Sequence, residues 1–228
     1  MTILAVIPAY NEASRVGAVV AAVQKYVDRV VVVDDGSCDV TSARAAAAGA
    51  LVVRHPENAG AGAATMTGIE AARSLGANIV VTIDADEQHD PRDIPNLLYP
   101  VQEGMADVVF ANRFGHTAEG KQRNRIPAIR RLFNTLGNMV TFMATGLWVR
   151  DSQCGFKVFG PRALKEIHLQ TRGFEFCTEV IRETRYHHWR TIEVPVKVVY
   201  SAYTLAKGQS FAMGVKTAFQ ILLRSFLR

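Results

Sequence analysis

The chain has little of several things, and each shortage removes a class of function. Its 228 residues include only three cysteines, Cys38, Cys154 and Cys177. They are odd in number and far apart, so neither a disulfide framework nor a zinc site is expected, and the expected compartment is the reducing cytosol. Apolar runs such as the one within 77–83 fall far short of the roughly 18–20 residues of a membrane span. The opening Met1-Thr2-Ile3-Leu4-Ala5-Val6 lacks a basic leader and runs into Pro8, so it reads as a strand and not as a signal peptide. No Gly-Lys-Ser/Thr follows a glycine loop, so a P-loop is absent. A dinucleotide loop is excluded too, because the first strand–helix turn has no glycine before Gly17. Gly60-Ala61-Gly62 has the look of such a loop but carries Thr65 at the third glycine position, and is read as a place of close helix packing. Internal repeats, linkers and basic stretches interleaved with aromatics are missing, and nucleic acid is not an expected partner.

What is present is a globular composition, 49% hydrophobic and 21% charged, with ample length for a core. Disorder is excluded by the amount of apolar material to be buried. The net charge of +5 conceals a polarity: residues 1–112 sum to −7 and residues 113–228 to +12. An acidic half suits a metal cation; a basic half suits phosphates or an anionic membrane surface.

The first part alternates strands and helices. Ile3–Ile7, Val30–Val33, Leu51–Arg54, Ile79–Ile83 and Asp107–Ala111 are short apolar runs. Between them, Ala13–Val27 (with Val16, Val19, Val20 and Val23 at helical spacing), Thr41–Ala48, Ala61–Leu75 and a segment from Pro91 to Gly104 read as helices. Continuous apolar strands between helices define a parallel α/β sheet covered on both faces. Beyond it, Phe114–Arg125 reads as a basic loop, Ala128–Ala144 as a helix with a wide apolar stripe, and Lys157–Phe159 as a strand. Phe174–Tyr186 reads as a helix, Thr191–Val199 as an edge strand containing Pro195, and Phe211–Leu227 as an amphipathic helix. The two apolar helices with basic flanks fit either the membrane interface or ordinary packing. Trp148 and Trp189 are expected in packing roles.

Polar chemistry collects at strand ends. The first strand runs into Pro8-Ala9-Tyr10-Asn11-Glu12, the second into Asp34-Asp35-Gly36-Ser37, and the strand at Ile79–Ile83 into Asp84-Ala85-Asp86-Glu87-Gln88-His89-Asp90. In an open parallel sheet, ligands bind outside the carboxyl ends of the strands. Carboxylates gathered there would repel one another and take up protons. A hard cation such as Mg²⁺ or Mn²⁺ removes that cost and brings substrate phosphates with it.

These segments, with Asn58, Gly60, Gly62, Asn112-Arg113-Phe114, Asp151, Gly155-Phe156-Lys157 and Glu193-Val194-Pro195, resemble the family-2 glycosyltransferases of GT-A fold. More narrowly they resemble the dolichyl-phosphate mannose synthase and polyprenyl-phosphate glycosyltransferase group. The resemblance implies a GT-A domain over residues 1–200, with a Rossmann-like, mostly parallel sheet flanked by helices. Within it, residues 1–112 would bind nucleotide sugar and metal and 113–200 the acceptor; an amphipathic helix over 201–228 would follow. It implies a nucleotide pocket of Pro8, Tyr10, Glu12, Val33 and Asp35, with Ala85 beside it and Lys207 as a loose substitute for a basic segment of the mannose synthases. It also implies a metal, Mg²⁺ or Mn²⁺, on Asp84, Asp86 and Gln88. Arg113 would sit between the donor and acceptor phosphates, with Arg131, Arg130 and Thr135 gripping the acceptor; Asp86, Arg113 and Arg131 carry the catalysis. The activity implied is inverting transfer from GDP-mannose or a UDP-sugar to a polyprenyl or dolichyl phosphate, by a protein peripheral to the cytoplasmic face of the membrane.

Two readings stand beside it. A hydroxyl acceptor would need a general base, for which Asp151 and Glu179 are the candidates. A non-catalytic nucleotide-sugar-binding protein would not need the Asp84/Asp86/Gln88 set. Glu87 adds a charge where a neutral residue is frequent in the family.

Overall fold

A computed structural model describes residues 1–115, 126 and 128–198, with the side chains at 128 and 130 left aside. The strands are β1 (Ile3–Ala9), β2 (Arg29–Asp34), β3 (Leu51–Arg54), β4 (Ile79–Thr82), β5 (Val108–Asn112), β6 (Lys157–Phe159) and β7 (Thr191–Pro195). The helices are α1 (Val16–Val23), α2 (Thr41–Ala47), α3 (Ala61–Ser74), α4 (Ile94–Gln102), α5 (Ala128–Thr145), α6 (Pro161–Glu166) and α7 (Phe176–Tyr186). A short 3₁₀ turn at Pro91–Asp93, capped by the Asp90 carboxylate, leads into α4.

The strands form one sheet in the order β3-β2-β1-β4-β6-β5-β7. β1 pairs in parallel with both β2 and β4, and β5 with β7. β6 runs antiparallel to β4 and β5 and separates them. The mostly parallel sheet flanked by helices is the expected one, and β6 is the strand expected over Lys157–Phe159; its antiparallel direction and the short α6 are additions that segments of three and six residues do not announce by periodicity.

Strand alternation explains why the strands are apolar throughout. On β1, Ala5 and Ile7 join the cluster with Val20 of α1 and Leu97 of α4, while Leu4 and Val6 join the cluster with Ile69 of α3 and Val180 of α7. The α3 side is close-packed: a Cβ on Gly68 would lie 2.2 Å from Val6 Cγ1. Gly62 plays the packing role expected of it, donating its N–H to the Arg172 carbonyl at 2.7 Å. That carbonyl also accepts from the Ala63 N–H at 3.3 Å, so two of the free donors at the start of α3 are taken.

β7 is the edge strand its proline allows, paired with β5 alone among the described residues. α5 packs on α7, leaving Leu132, Leu136, Met139 and Met143 on the surface of the described residues. No helix among the described residues is long and apolar enough to cross a membrane. The C-terminal helix expected over 201–228, and Lys207 with it, lie outside the described residues.

Candidate active site

The topology collects the chemistry on one rim. Because β2, β1 and β4 are neighbours and parallel, Asp34-Asp35, Tyr10 to Glu12 and Asp84 to Asp90 all leave the same edge of the sheet. β5 delivers Asn112-Arg113 to that edge. The antiparallel β6 starts there, so the approach segment 151–156 crosses the rim as well.

The first two strand ends are tied together. Asn11 donates its N–H to Ser37 Oγ at 2.9 Å and accepts from the Cys38 N–H, while the Glu12 N–H reaches Thr41 Oγ1 at 2.8 Å. Asp35 accepts from the N–H groups of Ala59 and Gly60 and lies 2.7 Å from His55 Nδ1. In this conformation its carboxylate anchors the 55–60 loop. Val33 is buried in the core, so only its backbone is available at the rim. Tyr10 is 40% exposed beside it, Pro8 is half-buried, Ala85 is buried, and Glu12 is buried close enough to Asp86 to repel it.

Asp84 and Asp86 behave differently from these. The Asp84 side chain is 39% exposed, with His89 Nε2 at 3.5 Å. Burial works to raise the Asp84 carboxyl, but His89, Lys157 and Arg113 hold it below the usual range. The Asp86 carboxyl is pushed up, first by burial and then by the charges of Asp84 and Glu12. Gln88, half-buried, gives its N–H to Asp86 Oδ1 at 3.0 Å. Glu87 adopts a positive φ of 62° and turns its carboxylate towards Arg15, 3.7 Å away. Its extra charge is thereby met by Arg15. Two carboxylates and a carboxamide make an all-oxygen donor set of the kind a hard divalent cation takes. Among the described residues, no group of three or more His, Cys, Asp or Glu side chains is arranged to hold a metal ion.

Under this loop lie residues that the sequence reading left without a role. His89 is buried against Phe156, with Cys154 Sγ 3.8 Å from its Nε2. Burial alone would push its imidazole down, but Cys154 and Asp84 carry it up to about 10. Lys157, 1% exposed, donates from Nζ to the Cys154 carbonyl and sits 3.4 Å from Cys177 Sγ. Gly155 abuts the Asp84 carboxylate so closely that a Cβ would lie 2.4 Å from Oδ1. The Gly-Phe-Lys signature carried this information as a pattern; its contact with Asp84 comes only from the antiparallel pairing.

On the basic side, Asp151 grips Arg113 by both guanidinium arms at 2.7 Å and accepts the Arg113 backbone N–H at 3.0 Å. Arg113, Arg131 and Thr135 line one cleft of about 310 Å³. Asn138, Trp148 and Arg150 line it too. Thr135 bonds back to the Arg131 carbonyl at 2.9 Å. Arg131 Nε is buried and has no hydrogen-bond partner among the described residues. Trp148, expected in packing, is 48% exposed on the cleft wall with Phe142 edge-on to it. The side chain of Arg130 lies outside the described residues.

The two candidate general bases are both committed elsewhere. Asp151 is 1% exposed and holds Arg113. Glu179 is buried and accepts from the N–H groups of Gln170 and Thr171, the Thr171 hydroxyl and Arg182.

The sheet thus presents acids on its carboxyl rim and a cationic cleft beside them. The Glycosyl transferase family 2 model matches residues 4–167, and the chain belongs to that family. It is a glycosyltransferase. Among its relatives, the UDP-N-acetylglucosamine–dolichyl-phosphate N-acetylglucosaminyltransferase of Methanococcus voltae is 32% identical over 96% of this chain and 94% of its own length. The undecaprenyl-phosphate mannosyltransferase of Micrococcus luteus is 29% identical over 87% of this chain and 84% of its own. Among solved structures, the glucosyl-3-phosphoglycerate synthase of Mycobacterium tuberculosis, crystallised with Mn²⁺, UDP-glucose and glycerol 3-phosphate, superposes with a TM-score of 0.72. It is 21% identical and covers 99% of this chain and 79% of that one, a likeness of fold alone. The GT-A fold implied by the sequence resemblance is the fold found.

Proposed function

We propose that the protein transfers a sugar from a nucleotide diphosphate sugar to a polyprenyl phosphate, with Mg²⁺ or Mn²⁺, while lying on the cytoplasmic face of a membrane. The observation that carries the choice of acceptor is the commitment of Asp151 and Glu179 inside the fold. A hydroxyl acceptor needs a base within reach of its proton. A lipid phosphate is already ionised and needs none; it needs cations to approach a donor diphosphate, and Arg113 and Arg131 line the cleft beside the carboxylate loop. The names of the relatives from Methanococcus voltae and Micrococcus luteus support the same acceptor class.

In this reading the base and ribose lie along Pro8, Tyr10, Glu12, Asp35 and the Val33 backbone, with Ala85 beside them and Lys207 as a further contact. Asp84, Asp86 and Gln88 hold the divalent ion. When bound, that ion neutralises the diphosphate leaving group. Arg131, its Nε without a hydrogen-bond partner among the described residues, takes the acceptor phosphate with Thr135 and Arg130, and Arg113 stands between the two phosphates, fixed by Asp151. A phosphate oxygen of the acceptor attacks the anomeric carbon as the bond to the diphosphate oxygen breaks, releasing the nucleoside diphosphate and inverting the anomeric centre. The apolar stripe of α5, with Leu132, Leu136 and Met143 exposed among the described residues, meets the isoprenoid and the membrane surface.

The test is incubation of the purified protein with Mn²⁺, undecaprenyl phosphate and, in separate reactions, GDP-mannose, UDP-glucose and UDP-N-acetylglucosamine, with products read by mass spectrometry. A glycosylated lipid phosphate from one donor, lost on chelation of Mn²⁺, is the expected result. Donor hydrolysis with no glycolipid would overturn the acceptor assignment.

A further inference from the structure

Lys157 occupies a position that an apolar residue would fill. It opens β6, paired with Thr82 on β4 and Phe110 on β5, and strand alternation turns it the same way as Phe159, into the cluster that contains Phe176 and Cys177 of α7. It is 1% exposed. Its Nζ meets the Cys154 carbonyl, Cys177 Sγ at 3.4 Å and the Phe176 ring, 5.4 Å from the centroid. Burial pushes the Cys177 thiol up, so that neighbour is not a thiolate. Among the described residues no carboxylate closes an ion pair with the ammonium, whose charge acts on Asp84 across the turn. Burying an ammonium is unfavourable, and a methionine would fill the same place with less loss.

The turn before β6 shows what the charge is used for. Three successive carbonyls are held by three separate donors: that of Cys154 by Lys157 Nζ, that of Gly155 by Thr82 Oγ1 at 2.7 Å, and that of Phe156 by the Ala111 N–H at 3.1 Å. The last two donors belong to β4 and β5, so those ties come with the sheet. The first comes from the lysine side chain. The turn so fixed is the surface against which Asp84 rests. A Cβ on Gly155 would lie 2.4 Å from Asp84 Oδ1 and 2.7 Å from Oδ2, so both carboxylate oxygens lie against the Gly155 backbone. His89 Nε2 stands 3.5 Å from Oδ2.

We propose that Lys157 is a positioning residue for the divalent-ion site: its ammonium holds the Cys154 carbonyl, and through it the Gly155 surface that sets where the Asp84 carboxylate stands. The proposal rests on the reading given above, in which Asp84, Asp86 and Gln88 hold the ion, and adds to it a residue that acts through Asp84. Charge and position make opposite demands here. Removing a cation from beneath an acidic loop should, by Coulomb's law alone, let a second cation bind more tightly. Releasing the turn should let Asp84 leave its place and weaken that binding, since partners that orient a metal ligand are worth about 10- to 100-fold in affinity.

The experiment is titration of the full chain with Mn²⁺, alone and in the presence of UDP or GDP, with free Mn²⁺ read from its electron paramagnetic resonance signal and the fold from circular dichroism. Lys157→Met is expected to keep the fold and to bind Mn²⁺ about tenfold or more weakly, and Lys157→Arg to recover part of the loss. Gly155→Ala leaves the ammonium in place but crowds Asp84, and should weaken Mn²⁺ in the same way. The double variant should lose less than the two single losses combined, because both act through Asp84. Lys157→Met that binds Mn²⁺ as tightly as the wild type, or more tightly, overturns the proposal. Wild-type affinity in Gly155→Ala overturns it too, and does so even if Lys157→Met does not fold. Mn²⁺ binding that Asp84→Asn leaves intact, or a folded wild type that binds no Mn²⁺ under any of these conditions, overturns the metal site and the proposal with it.

Discussion

The acids of the two halves of this molecule are used in opposite ways. In the loop after β4, Asp84 and Asp86 stand at the rim, one kept ionised by His89 and Lys157 and the other pushed up by burial and by its neighbours' charges. In the second half, Asp151 and Glu179 are saturated with donors, and Glu193 is turned to two N–H groups. Asp84 and Asp86 present negative charge at the rim, whereas Asp151, Glu179 and Glu193 hold an arginine, a loop and backbone in place. What remains facing outward on that side is positive. A carboxylate becomes a ligand or a base only if the fold leaves it short of donors, and residue type at a motif position does not decide that.

The largest effect that could sharpen this contrast is expected at the rim. Asp86→Ala should lower turnover about 10³-fold and abolish the response to added Mn²⁺, with the fold retained. Unchanged turnover and Mn²⁺ dependence would remove Asp86 from the site.

Next is Asp151→Ala, which strips a buried counter-charge from Arg113 and should cost about 3–5 kcal/mol in denaturant unfolding. It should also raise the KM for the acceptor more than that for the donor. An undiminished stability would mean that the second half of the chain does not depend on its internal acids as described.

Glu179→Gln is expected to be milder, costing about 1–3 kcal/mol because an amide cannot accept from all four donors. Turnover should stay within a few-fold of wild type. A fall of about 10²-fold or more in turnover would point to a general base and revive a hydroxyl acceptor.

The smallest effect concerns the seam between halves, where Asp107 pairs with Arg190 at 3.1 Å. The hydrogen bond from Arg190 holds the Asp107 carboxyl below its ordinary value of 3.8, against the opposing influence of burial. A carboxyl depressed in the folded state adds stability above its unfolded pKa, and that stability is lost as pH falls through the folded value. Asp107→Asn should therefore lower the Tm only slightly at neutral pH, since Arg190 is largely exposed, and match wild type once pH falls well below 3.8. A difference that persists in acid would assign the loss to the Arg190 backbone contact instead.

Much of this was legible in the chain. The apolar strands read as buried because the sheet is covered on both faces, and α3 and β3 fell within a residue of their expected bounds. The helix expected over Ala13–Val27 is confined to Val16–Val23, because the Glu12 carbonyl and the loop contacts to Thr41 and Asp39 organise residues 12–15 differently. The rim was legible because strand-end acids after apolar runs can only gather where parallel strands end. Arg150 was not, since nothing in its spacing distinguishes it from a surface arginine. Trp148 was misplaced into packing for the same reason: exposure depends on what α5 lies against.

Sequence alone determined the alternation of strand and helix, the separation of charge between the halves, and the strand-end motifs, because these follow from local periodicity and side-chain chemistry. The tertiary structure alone decided that β6 runs against its neighbours and brings Gly155 and Lys157 under Asp84. It also decided that Asp151 serves Arg113, and that Arg131 and Arg150 share a cleft. Those facts depend on contacts between residues up to 73 positions apart, such as Thr82 Oγ1 to the Gly155 carbonyl, and such partners are chosen by packing and pairing that no local pattern encodes.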